Sequence, residues 1–215
     1  MALLTGWKIG CFKEAFGLTH DEFVEQLEVY LKHIRDAYGY FDAYEAIITG
    51  CYNNLNEINL APGFFKLAQC SLYNSLLMEL AKLYCKRKGS SERTLSKLLN
   101  LLKENRRLFK PEDNICELIE DAENQLESDV MKKGIDILKN RRDQYMAHND
   151  QIYFKKDFSP RKEFPIGQGE IWRLISFSDN LCKNIYSHLE QQNIYTRAKN
   201  SGDLCKLLEK AQGNT

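Results

Sequence analysis

Arg141, Arg142, Asp143 and His148 place within eight residues the groups that phosphodiester cleavage needs. A histidine with an ordinary pKa of about 6.5 takes or gives a proton at neutral pH. An arginine fork holds a phosphate and stabilises the charge of its pentavalent state. On an ideal helix, at about 100° per residue, Val130, Gly134, Leu138 and Tyr145 share a buried stripe. Arg141 falls about 60° to one side of Leu138 and Arg142 about 40° to the other, inside that apolar sector. Two arginines there are costly unless paired or kept wet, which points to a cleft or a subunit interface. The plainer alternative has both arginines curling outward, with His148 favoured near a helix C-terminus by the dipole.

Downstream, Lys155, Lys156, Arg161 and Lys162 alternate with Tyr153, Phe154 and Phe158. Such a basic aromatic loop can guide a nucleic-acid backbone and stack bases. Its alternative is a solvated loop with the aromatic rings tucked under. The remaining histidines, His20, His33 and His188, are expected in solvated or packing roles. The chain has no P-loop, GxGxxG, HExxH or GxSxG pattern. Its seven cysteines form no CxxC and no Cys/His spacing suited to zinc, so neither a metal nor a cofactor is expected.

The elements that must position these groups read as helices. Thr19 and Glu22 have capping-box spacing, and apolar residues then step by three or four from Phe23 through Leu55, predicting a helix over 20–57. Pro62 suits the first turn of a second helix, 62–87, whose apolar residues cover more than one face as in a central helix. Ser90 or Ser91 is expected to cap a third, 91–104. Pro111 opens a helical stretch, with interruptions, to about 148. The region 149–168 reads as a loop, 169–191 as the last main helix, and 203–211 as a short terminal one. No strand alternation supports a sheet. The expected fold is an all-α antiparallel bundle of four to five main helices with short extra terminal helices. It forms one domain over 1–215, with a core at 20–191 and flexible or accessory ends at 1–18 and 192–215.

Composition fits. Thirty Lys and Arg balance thirty Asp and Glu, excluding a globally basic nucleic-acid coat, though a local basic patch survives the arithmetic. With 43% apolar residues the chain buries a core and is not disordered. No signal-peptide block and no run near the roughly 18 apolar residues of a membrane span is present, so a reduced, cytoplasmic protein is expected.

Arg142-Asp143, a four-residue spacer and His148 resemble the signature of the HEPN superfamily. The wording Arg-Arg-Asp-Gln-Tyr-Met-Ala-His-Asn-Asp resembles its abortive-infection U-type branch. So does the second-helix run from Phe64-Phe65-Lys66-Leu67-Ala68-Gln69 through Leu76-Leu77-Met78-Glu79-Leu80-Ala81-Lys82-Leu83-Tyr84. The resemblance spans roughly 20–190. It implies a helical bundle, a homodimer that brings two motifs together, and metal-independent RNA cleavage in phage defence or as a toxin, with a cognate antitoxin or partner protein. By position, Arg142 is the family arginine, Asp143 the polar residue after it (usually Asn), and His148 the histidine. Arg141 lies one step outside the pattern, yet only about 20° from His148 on an ideal helix, whereas Arg142 lies about 120° away. Either the helix distorts or a second subunit completes the site. The alternatives are a non-catalytic interaction module and a nucleotide-binding partner of a separate nucleotidyltransferase.

Overall fold

The computed structural model describes residues 17–86, 93–146, 165–190, 192, 194–196 and 203–212. Helix α1 (His20–Asn53) begins with the expected capping box. Thr19 Oγ1 accepts the Glu22 N–H at 3.3 Å, and Glu22 Oε2 accepts the Thr19 N–H at 2.9 Å. Phe23, Leu27, Leu31, Ile34 and Ala37 are fully buried, because residues three and four apart share one face. The helix stops at Asn53, short of the expected 57. A five-residue turn of helix, α2 (Leu55–Asn59), redirects the chain, and Leu55 is exposed rather than on the core face.

Helix α3 (Pro62–Tyr84) carries Pro62 in its first turn, where the missing N–H has no intrahelical partner to lose. Its second half is central, burying Leu76, Leu77, Leu80 and Leu83. Its first half is not: Phe64 and Leu67 face solvent. Helix α4 (Leu95–Glu104) starts at Thr94 rather than at Ser90 or Ser91, which lie outside the described residues. Beyond two 3-10 turns, the second opened by Pro111, come α5 (Ile115–Glu127) and α6 (Asp129–Asn140). Asn114, in the left-handed region at φ 53°, and Ser128 supply the interruptions. Helices α7 (Gln168–Glu190) and α8 (Asp203–Gln212) follow. No strand occurs among the described residues.

Side-chain ties set the directions. His33 meets Glu79 and Tyr44 meets Tyr73, so α3 runs antiparallel to α1. Tyr38 meets Asp179, Phe41 meets Trp172 and Glu45 meets Gln168, so α7 is antiparallel to α1 as well. Helix α6 returns along α3, with Cys85 Sγ near the Ile135 carbonyl and Arg141 at Tyr73. The all-α antiparallel bundle is therefore as expected. The tail is docked: Leu208 of α8 is buried on the end of α1, where a Cβ at Gly50 would meet its Cδ1 at 2.9 Å. Among the described residues no helix is long and apolar enough to cross a membrane.

Candidate active site at the end of α6

Helix α6 is capped by Ser128, whose hydroxyl accepts the Met131 N–H at 3.4 Å. Its buried stripe is Met131, Gly134 and Leu138. Val130 is 54% exposed, and Met131, one position on, takes its place on the core face. The side chain of Tyr145 lies outside the described residues. Continued by three and four, the observed stripe reaches Arg141 and Arg142, which are 3% and 6% exposed. The outward-curling alternative is therefore not what forms.

From Arg141 to Met146 the chain is a π-helix, with its turn widened by one residue. Such turns lower the angle each residue advances and recur at functional sites. The angles drawn on an ideal helix therefore no longer hold across 141–146.

The two arginines diverge. Arg142 reaches the carboxyl end of α3: Nη1 donates to the Cys85 carbonyl at 2.7 Å and Nη2 to the Lys86 carbonyl at 3.2 Å. Its Nε donates to Asp143 Oδ1 at 2.7 Å. These bonds engage three of the five N–H groups of the guanidinium. They satisfy carbonyls that a helix end leaves unpaired and set a cation at the negative end of its dipole. Arg141 instead lies over the ring of Tyr73, 5.4 Å from its centroid. Tyr73 packs on Tyr44 at 5.3 Å and donates its hydroxyl to the Ile166 carbonyl at 3.5 Å. Pro165 and Ile166, where the chain re-enters the described structure, thus return to the same corner. His148, Tyr153, Lys155, Lys156, Arg161 and Lys162 lie outside the described residues.

Beside the site, a cleft of about 650 Å³ opens between α6 and the start of α7. Asp129, Asp136 and Glu170 outnumber Lys132 and Lys133 in its lining, a poor path for a phosphate backbone. A second polar cluster joins α1 to α3. His33 Nδ1 is 2.7 Å from Glu79 Oε2, Lys82 Nζ is 2.6 Å from Glu79 Oε1, and Asp36 completes a set whose donor atoms lie within 4.8 Å of one another. A His/carboxylate cluster therefore does form, from two helices, where linear spacing suggested none. Both oxygens of Glu79 are already engaged, and the Lys82 ammonium occupies the cation position. Burial alone would raise the Glu79 pKa, but the hydrogen bonds from His33 and Lys82 outweigh it and hold the carboxyl below its ordinary value. Sequence spacing offered one signal here, His33 and Asp36 at i, i+3 on α1. Nothing local pointed to Glu79, or to the Cys85 and Lys86 carbonyls and the Tyr73 ring around the arginines.

An all-α antiparallel bundle with an Arg-Asp pair on a distorted turn after a core helix is a HEPN-like arrangement. The model of the AbiU2 family of HEPN domains matches residues 20–209, and the chain belongs to that family. It is a HEPN-type abortive-infection domain. Neither the curated proteins nor the solved structures contain a match to it.

Proposed function

We propose that the protein is a metal-independent endoribonuclease of HEPN type, acting as a toxin or in phage defence, with a site completed by two copies of the chain. The observation that carries this reading is the π turn. It places the Arg142-Asp143 pair at the end of a core helix and holds the guanidinium with fixed backbone acceptors. A guanidinium oriented before substrate arrives needs no reorganisation when charge develops on a phosphate.

The ribose 2′-hydroxyl attacks its own 3′-phosphate, and the bond from phosphorus to the 5′-oxygen breaks. One histidine removes the 2′ proton and another, or the same one in turn, returns a proton to the leaving oxygen. His148 is assigned these roles, and Arg142 the stabilisation of the phosphorane, with Arg141 and Asp143 supporting it. The products are a 2′,3′-cyclic phosphate and a 5′-hydroxyl. Because RNA supplies the nucleophile, a 2′-deoxy substitution at the cut site blocks the reaction and EDTA does not. The 153–162 stretch, with Tyr153, Lys155, Lys156, Arg161 and Lys162, is assigned to single-stranded RNA, with affinity falling as salt rises.

The burial of Arg142, with three donors committed to the fold, favours a second reading: a non-catalytic interaction module in which this arginine only fastens α3 to α6. Incubating purified protein with labelled RNA separates the two. Cleavage that is abolished in His148→Ala, with products ending in cyclic phosphate, supports the nuclease. Cleavage equal in parent and variant, or absent from both, leaves the interaction module.

A further inference from the structure

Next to the fully buried Ile34 and Leu80, the seam between α1 and α3 turns polar. His33 and Asp36 sit three residues apart, so helix geometry puts them on one side of α1. Their donor atoms and a Glu79 carboxylate oxygen all lie within 4.8 Å of one another, with His33 Nδ1 and Glu79 Oε2 at 2.7 Å. The charges there do not balance. His33 and Lys82 both close on Glu79, whereas the half-buried Asp36 makes no hydrogen bond or ion pair among the described residues. With a neutral imidazole, two carboxylates stand against one ammonium, and carboxylates this close repel each other.

We infer that His33, Asp36 and Glu79 form a binding site for a divalent transition-metal ion, best fitted by zinc, which takes the position of the Lys82 ammonium and fastens α1 to α3. Charge is the first argument. Two carboxylates and a neutral imidazole cancel a divalent ion, whereas one ammonium leaves a carboxylate over. Geometry is the second. Zinc bonds nitrogen and oxygen at about 2.0–2.2 Å, and a tetrahedral arrangement spaces its ligand atoms by roughly 3.4 Å. The separations here run from 2.7 Å for the His33–Glu79 pair to at most 4.8 Å, around that value and within reach of side-chain rotation. Ligand type is the third. Imidazole with carboxylates suits zinc, whereas magnesium keeps oxygen ligands and most of its own water. Lys82 is the movable part, because its side chain is 48% exposed and reaches Glu79 from solvent. Its withdrawal frees one Glu79 oxygen and leaves a fourth position for water. None of the motif residues belongs to the cluster, so the ion is a fastener and takes no part in RNA cleavage.

Zinc added to reduced protein that has been stripped with EDTA and desalted tests the inference. At a hundredfold excess over its dissociation constant, zinc is expected to raise the melting temperature of the parent by about 5–10 °C, and magnesium to leave it unchanged. Cobalt is expected to give visible d–d bands without the thiolate-to-metal charge transfer that ligation by a free cysteine such as Cys70 or Cys116 produces. Asp36→Asn is the sharpest variant. Its carboxylate has no partner to lose, so the metal-free melt stays where it was while zinc affinity, measured by calorimetry, falls about tenfold or more. Lys82→Met removes the competing ammonium and is expected to bind zinc about tenfold more tightly than the parent. A parent whose melt zinc does not move overturns the inference. So does Asp36→Asn protein that binds zinc like the parent, cobalt bound through thiolate, or Lys82→Met protein with unchanged zinc affinity.

Discussion

Helix α3 holds two buried charges in opposite ways. Glu79, midway along its central half, is balanced by the side chains of His33 and Lys82, so cation and anion close on each other. Arg142, at the end of the same helix, is held by two backbone carbonyls and by a half-exposed Asp143. Carbonyl dipoles orient a guanidinium without neutralising it. The first arrangement has consumed its charge and fastens α1 to α3. The second is paired by a single carboxylate, Asp143, which lies half-exposed where the family motif lies. A buried charge closed between side chains of two helices is a staple, and one held by backbone carbonyls with a half-exposed carboxylate is the candidate site.

The largest test of that difference is catalytic. His148→Ala is expected to lower RNA cleavage by about 10²–10⁴-fold, the usual contribution of proton transfer, with an unchanged melting temperature. His33→Ala is expected to do the reverse: intact cleavage and an earlier melt. Arg142→Ala should fail on both counts. It leaves the Cys85 and Lys86 carbonyls without this donor and should cost roughly 2–4 kcal/mol in denaturant unfolding, besides abolishing cleavage. Arg142→Lys restores the charge but not the fork, so part of the stability returns and the activity does not. A stable Arg142→Ala that cleaves normally would place the chemistry elsewhere.

Glu79→Gln is expected to be milder, about 1–2 kcal/mol, since His33 and Lys82 are partly solvated and recover water. Its signature is in pH. The folded-state pKa of Glu79 is lowered, so its contribution is complete above the ordinary carboxylate range and is lost as the pH falls through the folded value. The variant should show a flatter acid limb in its stability profile, with cleavage unaltered. An acid limb identical to that of the parent would show that the cluster contributes no linkage.

What was legible in the sequence was local. The Thr19–Glu22 box, Pro62 and the three-and-four stepping of α1 each depend on residues within a turn or two, and each forms as read. The stop at Asn53 and the start of α4 at Thr94 were missed because more than one polar residue nearby could serve as a boundary. Val130 was placed on the core face by four-residue stepping back from Gly134, where the three-residue step to Met131 is the one that forms. The π turn was invisible to any fixed angle per residue; the separation of Arg142 from His148 allowed either a distorted helix or a second subunit. The partners of Arg142 lie 57 and 56 residues away and that of His33 lies 46 away, distances at which no pattern of spacing speaks. His148 and the 153–162 stretch lie outside the described residues, and His148→Ala is the test of the first.

The smallest effect comes from the same chemistry moved to the surface. His20 lies 3.2 Å from Asp21 and 3.5 Å from Glu190, where the start of α1 meets the end of α7. The Asp21 hydrogen bond, with weaker help from Glu190, raises the pKa of His20 above its ordinary value of 6.5. A raised folded-state pKa contributes stability that is complete below the unfolded value and is lost as the pH rises through the folded one. The direction is thus opposite to that of Glu79. The size is also different, because solvent screens an exposed pair and limits it to a few tenths of a kcal/mol. His20→Gln should therefore leave stability at pH 8 where it was and remove only a slight gain near pH 5.5, an effect that fades in high salt. A loss as large as that of Glu79→Gln, or one insensitive to salt, would mean that burial is not what separates these carboxylate–histidine pairs.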